Sequence, residues 1–228
     1  MITFVLVEPE NSGNIGAVAR AMKNFAFDKL VLINPKAEHL NDEALNRATH
    51  AKDILKKALV KDFSYLETFD YLIATSALLG SDYNIPRNAI NPEELAQIIP
   101  KKGNIAVLIG RESSGLRNEE IKKCDFIVTI PSSKKYGTLN ASHAACILMY
   151  ELFKKSKKKK SNDQLNPAKK HDKDVLLKKI YEVLDTIEFS TKEKKETQKI
   201  VWKRLIGKSF LSRRELFAMF GFFKKVKK

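Results

Sequence analysis

The chain has 228 residues, 43% hydrophobic and 9% aromatic, enough apolar material to bury a core and to exclude wholesale disorder. Its 42 Lys and Arg stand against 27 Asp and Glu, a net charge of +15 that is lopsided: residues 1–150 carry +1 and residues 151–228 carry +14, which points a basic module at a polyanion. No apolar run approaches the ~20 residues of a membrane span, and the apolar start lacks the basic flank and cleavage site of a signal peptide.

Through the first 150 residues, short β-branched runs alternate with helical patterns. Near-continuous apolar runs predict strands at 2–7, 30–33, 71–75, 105–109 and 126–130, covered on both faces. Helices are predicted over 16–25, 43–58 (as one or two), 92–99, 118–123 and 140–154, the third with Asn91 as cap and Pro92 at its first position. The alternation predicts an α/β fold with a largely parallel sheet. Residues 154–174, with nine Lys and three Asp, read as a solvated linker whose charge is compatible with RNA phosphate contact. Beyond it, apolar residues at helical spacing predict a helix over 175–187. Ser190-Thr191-Lys192-Glu193 spells a capping box that opens a second helix, ending near Gly207. Ser212-Arg213-Arg214-Glu215 spells another before a helix over 216–223. The division is therefore a body at 1–153, a basic linker at 154–174 and a helical extension at 175–228. Trp202, Phe210, Phe217, Phe220, Phe222 and Phe223 are expected to form a small core or a dimer contact rather than platforms for base stacking.

Two cysteines, Cys124 and Cys146, show no pairing pattern, and the four histidines show no ligand spacing. No disulfide and no metal are expected, in keeping with a reducing cytoplasm. Nucleotide-loop spellings also fail. Gly110 to Gly115 has the glycine frame of a P-loop, but Leu116-Arg117 stands where Lys-Ser/Thr is required, which argues against a nucleotide hydrolase. Asn11 to Gly16 after the first strand holds only part of a dinucleotide fingerprint.

Three segments at strand ends have functional character. The first runs from Asn14, expected at a helix N-terminus, through Arg20 to Lys23. The second is Leu108-Ile109-Gly110-Arg111-Glu112-Ser113-Ser114-Gly115-Leu116, a turn with charge between glycines just beyond a buried strand. The third is Ile130-Pro131-Ser132-Ser133 followed by Tyr136-Gly137-Thr138-Leu139-Asn140 and an apolar helix, with Asn140 readable as its cap.

Together and in this order, "NIGAVARAMKNF", "LIGRESSGLRNEE" and "IPSSKKYGTLNASHAACILMYEL" resemble the SpoU/TrmH branch of the SPOUT RNA methyltransferases, most of all its TrmJ-type tRNA ribose 2′-O-methyltransferases. The "LVLINP" strand end and "ATSA" agree, "GSDYNIPRNAINP" is similar to archaeal-type members, and the likeness covers roughly residues 2–153. The resemblance implies an α/β sheet with a C-terminal trefoil knot, a homodimer in which Ala141–Phe153 takes part, and S-adenosyl-L-methionine as cofactor. The implied cofactor loops are Thr75, Ser76 and Ala77, then Leu108, Ile109 and Gly110, then Ile130 with Gly137, Thr138 and Leu139. The implied catalytic set is Asn14, Arg20, Glu112 and Asn140, with Glu112 holding Arg20 or a knot loop. Thr138 joins it where the family usually has Ser. Leu78-Leu79 stands where bacterial relatives carry Arg, for which Arg87 could substitute. The implied substrate is tRNA, at a cytidine or uridine on the 5′ side of the anticodon loop. The alternative is a non-catalytic RNA-binding or ribosome-assembly protein on the same scaffold.

Overall fold

The computed structural model describes residues 1–77, 89–100, 102–133, 135–157, 168–209 and 211–226. Its centre is a six-stranded parallel sheet of β1 (Ile2–Val7), β2 (Leu30–Ile33), β3 (Leu59–Lys61), β4 (Tyr71–Thr75), β5 (Ile105–Ile109) and β6 (Phe126–Val128), in the order β3-β2-β1-β5-β4-β6. Strand residues alternate between two cores. Phe4, Leu6, Leu32, Ile73, Val107 and Phe126 face one layer of helices, while Val5, Val7, Ile33, Leu72, Leu108 and Ile127 face the other. Burial on both faces is why these strands read as unbroken apolar runs.

The first layer holds α1 (Ser12–Asn24), α2 (Asp42–Ala48), α3 (Lys52–Lys56), α4 (Pro92–Ile98) and α6 (Ala141–Lys157). The second holds a 3₁₀ turn at Phe63–Thr68 and α5 (Asn118–Lys122). The Asn91 cap and Pro92 start of α4 are present, closed by Glu94 as a capping box.

Several boundaries differ from expectation. β3 was not predicted: its three residues are exposed at the sheet edge, so no apolar run marks it. α1 begins at Ser12, four residues earlier than its pattern suggested. Asn11 is its cap, accepting from the Asn14 backbone N–H at 2.9 Å, so Asn14 lies inside the helix.

The C-terminal module packs α7 (Lys170–Thr186), α8 (Lys192–Lys208) and α9 (Arg213–Val226) around Leu176, Ile180, Ile206, Leu216 and Phe223. The segment expected as linker is helical at both described ends, since α6 reaches Lys157 and α7 starts at Lys170. Lys173 explains the second case. Its side chain is buried, with Nζ 3.3 Å from the centre of the Tyr71 ring and donating to the Asp70 carbonyl at 3.1 Å. A long apolar stem lets a lysine count as core where its sequence reads as solvent-facing. α8 ends at Lys208, next to the expected stop at Gly207. A Cβ at Gly207 would lie 2.6 Å from Asp125 Oδ1, so this glycine permits close approach to the residue before β6.

The module thus docks on Asp70 and Asp125, at the amino ends of β4 and β6. A cavity of about 620 Å³ at this junction is lined by Asp70, Asp125, Lys170, Lys173 and Lys203, among others. Burial pushes the Asp125 carboxyl up and the Lys173 amine down to about 8.

Candidate active site at the carboxyl ends of the strands

The loop after β1 and the loop after β5 are joined by side chains from both. Arg111 is buried and donates to Glu8 (2.8 and 3.1 Å), Glu120 (2.8 and 3.0 Å) and the Gly115 carbonyl (3.0 Å). The Arg111 guanidinium holds the Glu8 carboxyl down at about 2, against the opposing effect of burial. Burial would raise Glu120, but the same guanidinium and the Arg117 backbone N–H bring it below its ordinary value. Glu10 accepts from the Ser113 backbone and hydroxyl at 3.1 and 3.0 Å, and its own backbone N–H donates to Glu112 Oε2 at 2.9 Å. Gly110 makes the tight turn possible: a Cβ there would lie 2.3 Å from the Gly115 carbonyl carbon.

This frame brings three of the expected residues together. Asn14 Nδ2 donates to Glu112 Oε1 at 3.0 Å, and Asn140 Nδ2 donates to Asn14 Oδ1 at 3.1 Å. Asn140 Oδ1 then accepts from the Ser142 backbone and hydroxyl at 2.8 and 2.7 Å, which makes it a cap of α6 as well. Direction follows from the end of the chain. An ionised carboxylate only accepts, so Glu112 fixes which side of the Asn14 amide faces it, and Asn14 fixes Asn140. The cluster links α1, the turn after β5 and the start of α6, which are 98 and 126 residues from Asn14 in sequence.

Arg20 is exposed on α1 and makes no hydrogen bond or ion pair with another described residue. Glu112 bonds Asn14 and the loop after β1, and Arg20 is not among its described partners. Glu8, Glu10, Arg111 and Glu120 were missed by the sequence reading. The available signal was a pair of carboxylates directly after a buried strand, which in a folded chain require a partner.

The expected cofactor loops lie at the carboxyl ends of the adjacent strands β5, β4 and β6. Thr75 Oγ1 donates to the Leu108 carbonyl (2.9 Å), the Ser76 N–H to the Val128 carbonyl (3.0 Å) and Thr129 Oγ1 to the Ser76 carbonyl (2.8 Å), so the three strand ends are locked together. The side chains of Leu108 and Ile109 are in the core, leaving only their main chain for a ligand. Ala77, Thr138 and Asn140 are exposed, and Ser132 Oγ donates to the Gly137 carbonyl at 2.8 Å. The backbone N–H groups of Ile130, Thr138 and Leu139 bond to no other described residue. Main-chain groups that bond to no other described residue, beside the ends of parallel strands, suit the polar edges of a nucleoside, so the residues fit S-adenosylmethionine. Leu78, Leu79 and Arg87 lie outside the described residues. Among the described residues no group of three His, Cys, Asp or Glu could hold a metal ion, and no helix is long and apolar enough to cross a membrane.

An open parallel sheet with a polar cluster at its carboxyl edge, and main-chain groups there that bond to no other described residue, defines an α/β protein built to bind a nucleoside-type ligand. Residues 1–150 match the model of the SpoU rRNA Methylase family, and the chain belongs to that family. It is 42% identical, over 98% of its length and 99% of the relative's, to the tRNA (cytidine-2′-O-)-methyltransferase TrmJ of Methanocaldococcus jannaschii. It is 32% identical to the enzyme of that name from Sulfolobus acidocaldarius, over 99% of this chain and 93% of the other. The crystal structure of TrmJ from Z. mobilis ZM4 superposes with a TM-score of 0.73 at 25% identity, covering 100% of both chains.

Proposed function

We propose that this protein transfers a methyl group from S-adenosyl-L-methionine to a ribose 2′-oxygen of tRNA, at an anticodon-loop pyrimidine, cytidine first. The observation that carries the reading is the near-full-length identity to the M. jannaschii tRNA (cytidine-2′-O-)-methyltransferase. It extends through the helical module, beyond the family match at 1–150. A tRNA substrate also accords with a cytoplasmic protein that keeps Cys124 and Cys146 free.

The cofactor supplies a methyl group made electrophilic by the positive charge on its sulfur. It would be held by Thr75, Ser76 and Ala77, by the main chain of Leu108, Ile109 and Gly110, and by Ile130, Gly137, Thr138 and Leu139. The harder task is the nucleophile, because a ribose hydroxyl ionises too weakly to attack unaided near neutrality. The protein must orient it and stabilise the charge that develops as its proton passes to water. Arg20 is the group assigned to that charge. A guanidinium donates and does not accept, so its role is electrostatic: it stabilises the developing alkoxide and clamps a neighbouring phosphate. Asn14 and Asn140, tied to Glu112, keep α1 and the start of α6 in register around the reacting ribose. Thr138, exposed two residues before Asn140, supplies the hydroxyl for which the family usually has Ser.

The site is assigned to a homodimer built on α6, in keeping with the exposure of Ile147 and Tyr150 on that helix. The C-terminal trefoil knot accords with the strand order, in which β6 lies beyond β4 and the chain then returns to pack α6 on α1 and α4. The helical module, with most of the net charge, supplies phosphate attraction, so tRNA binding weakens steeply with salt. Arg20→Ala tests the core of the assignment. Methyl transfer to tRNA is expected to collapse while tRNA binding persists; full transfer by this variant would refute the role given to Arg20.

A further inference from the structure

α9 uses one face for the module core. Leu216 and Phe223 are buried, and Phe220 packs against the same cluster with Trp202. That much agrees with the expectation of a small aromatic core. Phe217 and Phe222 do not: they are 52% and 62% exposed. Phe210 lies outside the described residues.

At 100° per residue, Arg213, Phe217, Gly221 and Lys224 fall close to one line on the outer face of the helix, with Arg214 and Lys225 alongside. All six are exposed. The only acid of the helix, Glu215, is engaged by the Ser212 N–H and hydroxyl, both at 2.7 Å. From α7, Asp172 Oδ2 lies 4.0 Å from Arg213 Nε, and the other three cations have no acid beside them on this helix; the face is a cationic strip with one exposed ring.

Gly221 adds a second, independent observation. A glycine inside a helix lowers its stability, yet a Cβ here would meet nothing within 4 Å. Folding does not require the missing side chain. Helical side chains lean towards the N-terminus. Phe217 accordingly leans to Arg213, whose guanidinium lies 5.6 Å from the ring centre, and away from Gly221. The Phe220 ring lies tilted at 5.9 Å from that of Phe217, and the exposed half of the Phe217 ring stands beside the glycine, between the two pairs of cations.

We propose that this strip is a stacking site for an unpaired nucleobase of tRNA. The base lies against Phe217 in the gap above Gly221, and its flanking phosphates meet Arg213, Arg214, Lys224 and Lys225. The inference rests on the tRNA reading above and names a residue-level contact for it. RNA fits this face better than a second copy of the chain, because the strip would oppose its own cations. A lipid surface fits less well, because the exposed Phe217 and Phe222 lie on different sides of α9 and form no continuous apolar face. The module docks at the amino ends of β4 and β6, and the Asn14–Glu112–Asn140 cluster lies at the carboxyl ends. Within one protomer the stacked base is thus a different nucleotide from the one methylated.

The test uses the full chain with Phe217→Ala and, separately, Gly221→Leu, which fills the gap without touching the core. Dissociation constants are measured for bulk tRNA and for a blunt RNA duplex across a salt series, with thermal melting as a folding control. Each variant should weaken tRNA binding about tenfold, with an unchanged salt slope and no effect on the duplex. Arg213→Ala with Lys224→Ala should instead lower the slope by roughly 1.4. Binding of tRNA at wild-type strength by both variants overturns the proposal. So does equal weakening towards the duplex, or a loss of self-association or of anionic-vesicle binding in place of tRNA binding. If the wild type methylates tRNA while both variants bind it normally, only this inference fails. If the wild type neither binds nor methylates tRNA, the functional reading falls with it.

Discussion

Replacing Arg111 by Gln probes the frame on which the candidate site stands. The arginine is buried and makes five hydrogen bonds, four of them to the carboxylates of Glu8 and Glu120. Its loss leaves two carboxylates facing each other without their cation. Removing one member of a buried ionic group costs about 3–5 kcal/mol, because the remaining charges stay desolvated. For a chain of this length that corresponds to a melting temperature lower by about 6–20 °C at pH 7. The cost should shrink in acid. The Glu8 carboxyl is depressed from 4.5 to about 2 in the folded protein, so its stabilising contribution is complete above about 4.5 and is lost as pH falls towards about 2. The variant lacks the largest part of that contribution, the Arg111 hydrogen bonds, and keeps the weaker pull of Arg117 and Lys36, so the two proteins should draw together over this window. A triple variant, Glu8→Gln with Arg111→Met and Glu120→Gln, should recover most of the loss at pH 7 by removing the charges together. Urea unfolding at pH 7 and pH 3 measures both effects. A loss below about 1 kcal/mol for Arg111→Gln at pH 7 would refute the account of this frame, as would a loss that does not shrink with acid.

Three further outcomes are expected. Gly207→Ala should destabilise by about 1–3 kcal/mol in thermal melts despite alanine's better helix propensity, because its Cβ would meet an Asp125 held to Leu72 by two hydrogen bonds; a higher melting temperature would count against close approach as the reason for this glycine. Lys173→Met should lose ground relative to the wild type as pH rises through about 8. The buried amine is charged below that value at a cost, and the unfolded chain binds more protons above it, so wild-type stability rises with pH in that window; parallel melting curves from pH 7 to 9.5 would contradict this. Asn14→Asp should cut methyl transfer by about 10²-fold with tRNA affinity unchanged, since it sets an acceptor against Glu112 where a donor is needed; a variant of normal turnover would remove the cluster from the reaction.

How much of this was visible in the sequence depended on where each residue is buried. Five strands announced themselves because both of their faces meet a core, and β3 stayed silent because its three residues are exposed. The Asn14, Glu112 and Asn140 motifs were legible as short signatures, but their mutual hydrogen bonds were not, because the partners are about a hundred residues apart. The resemblance implied that Glu112 holds Arg20 or a knot loop, and the hydrogen bond from Asn14 to Glu112 was not legible in it. Arg111 was passed over inside a motif read for its glycines and its glutamate. Lys173 and Gly207 each make a tertiary contact that the sequence does not spell. A lysine usually marks solvent and a glycine a helix end, until tertiary contact buries the stem of one and presses a carboxylate against the other. Composition also could not divide the C-terminal phenylalanines into core and surface, since Phe217 and Phe223 differ only in the side of the helix they occupy.

The measurement closest to the central claim is transfer of labelled methyl from S-adenosylmethionine to bulk tRNA by the full chain, followed by digestion and nucleoside analysis. Label is expected on the ribose 2′-oxygen of cytidine from the anticodon loop, and its loss in Arg20→Ala. Label on a base, or tRNA binding with no transfer at all, would contradict the claim.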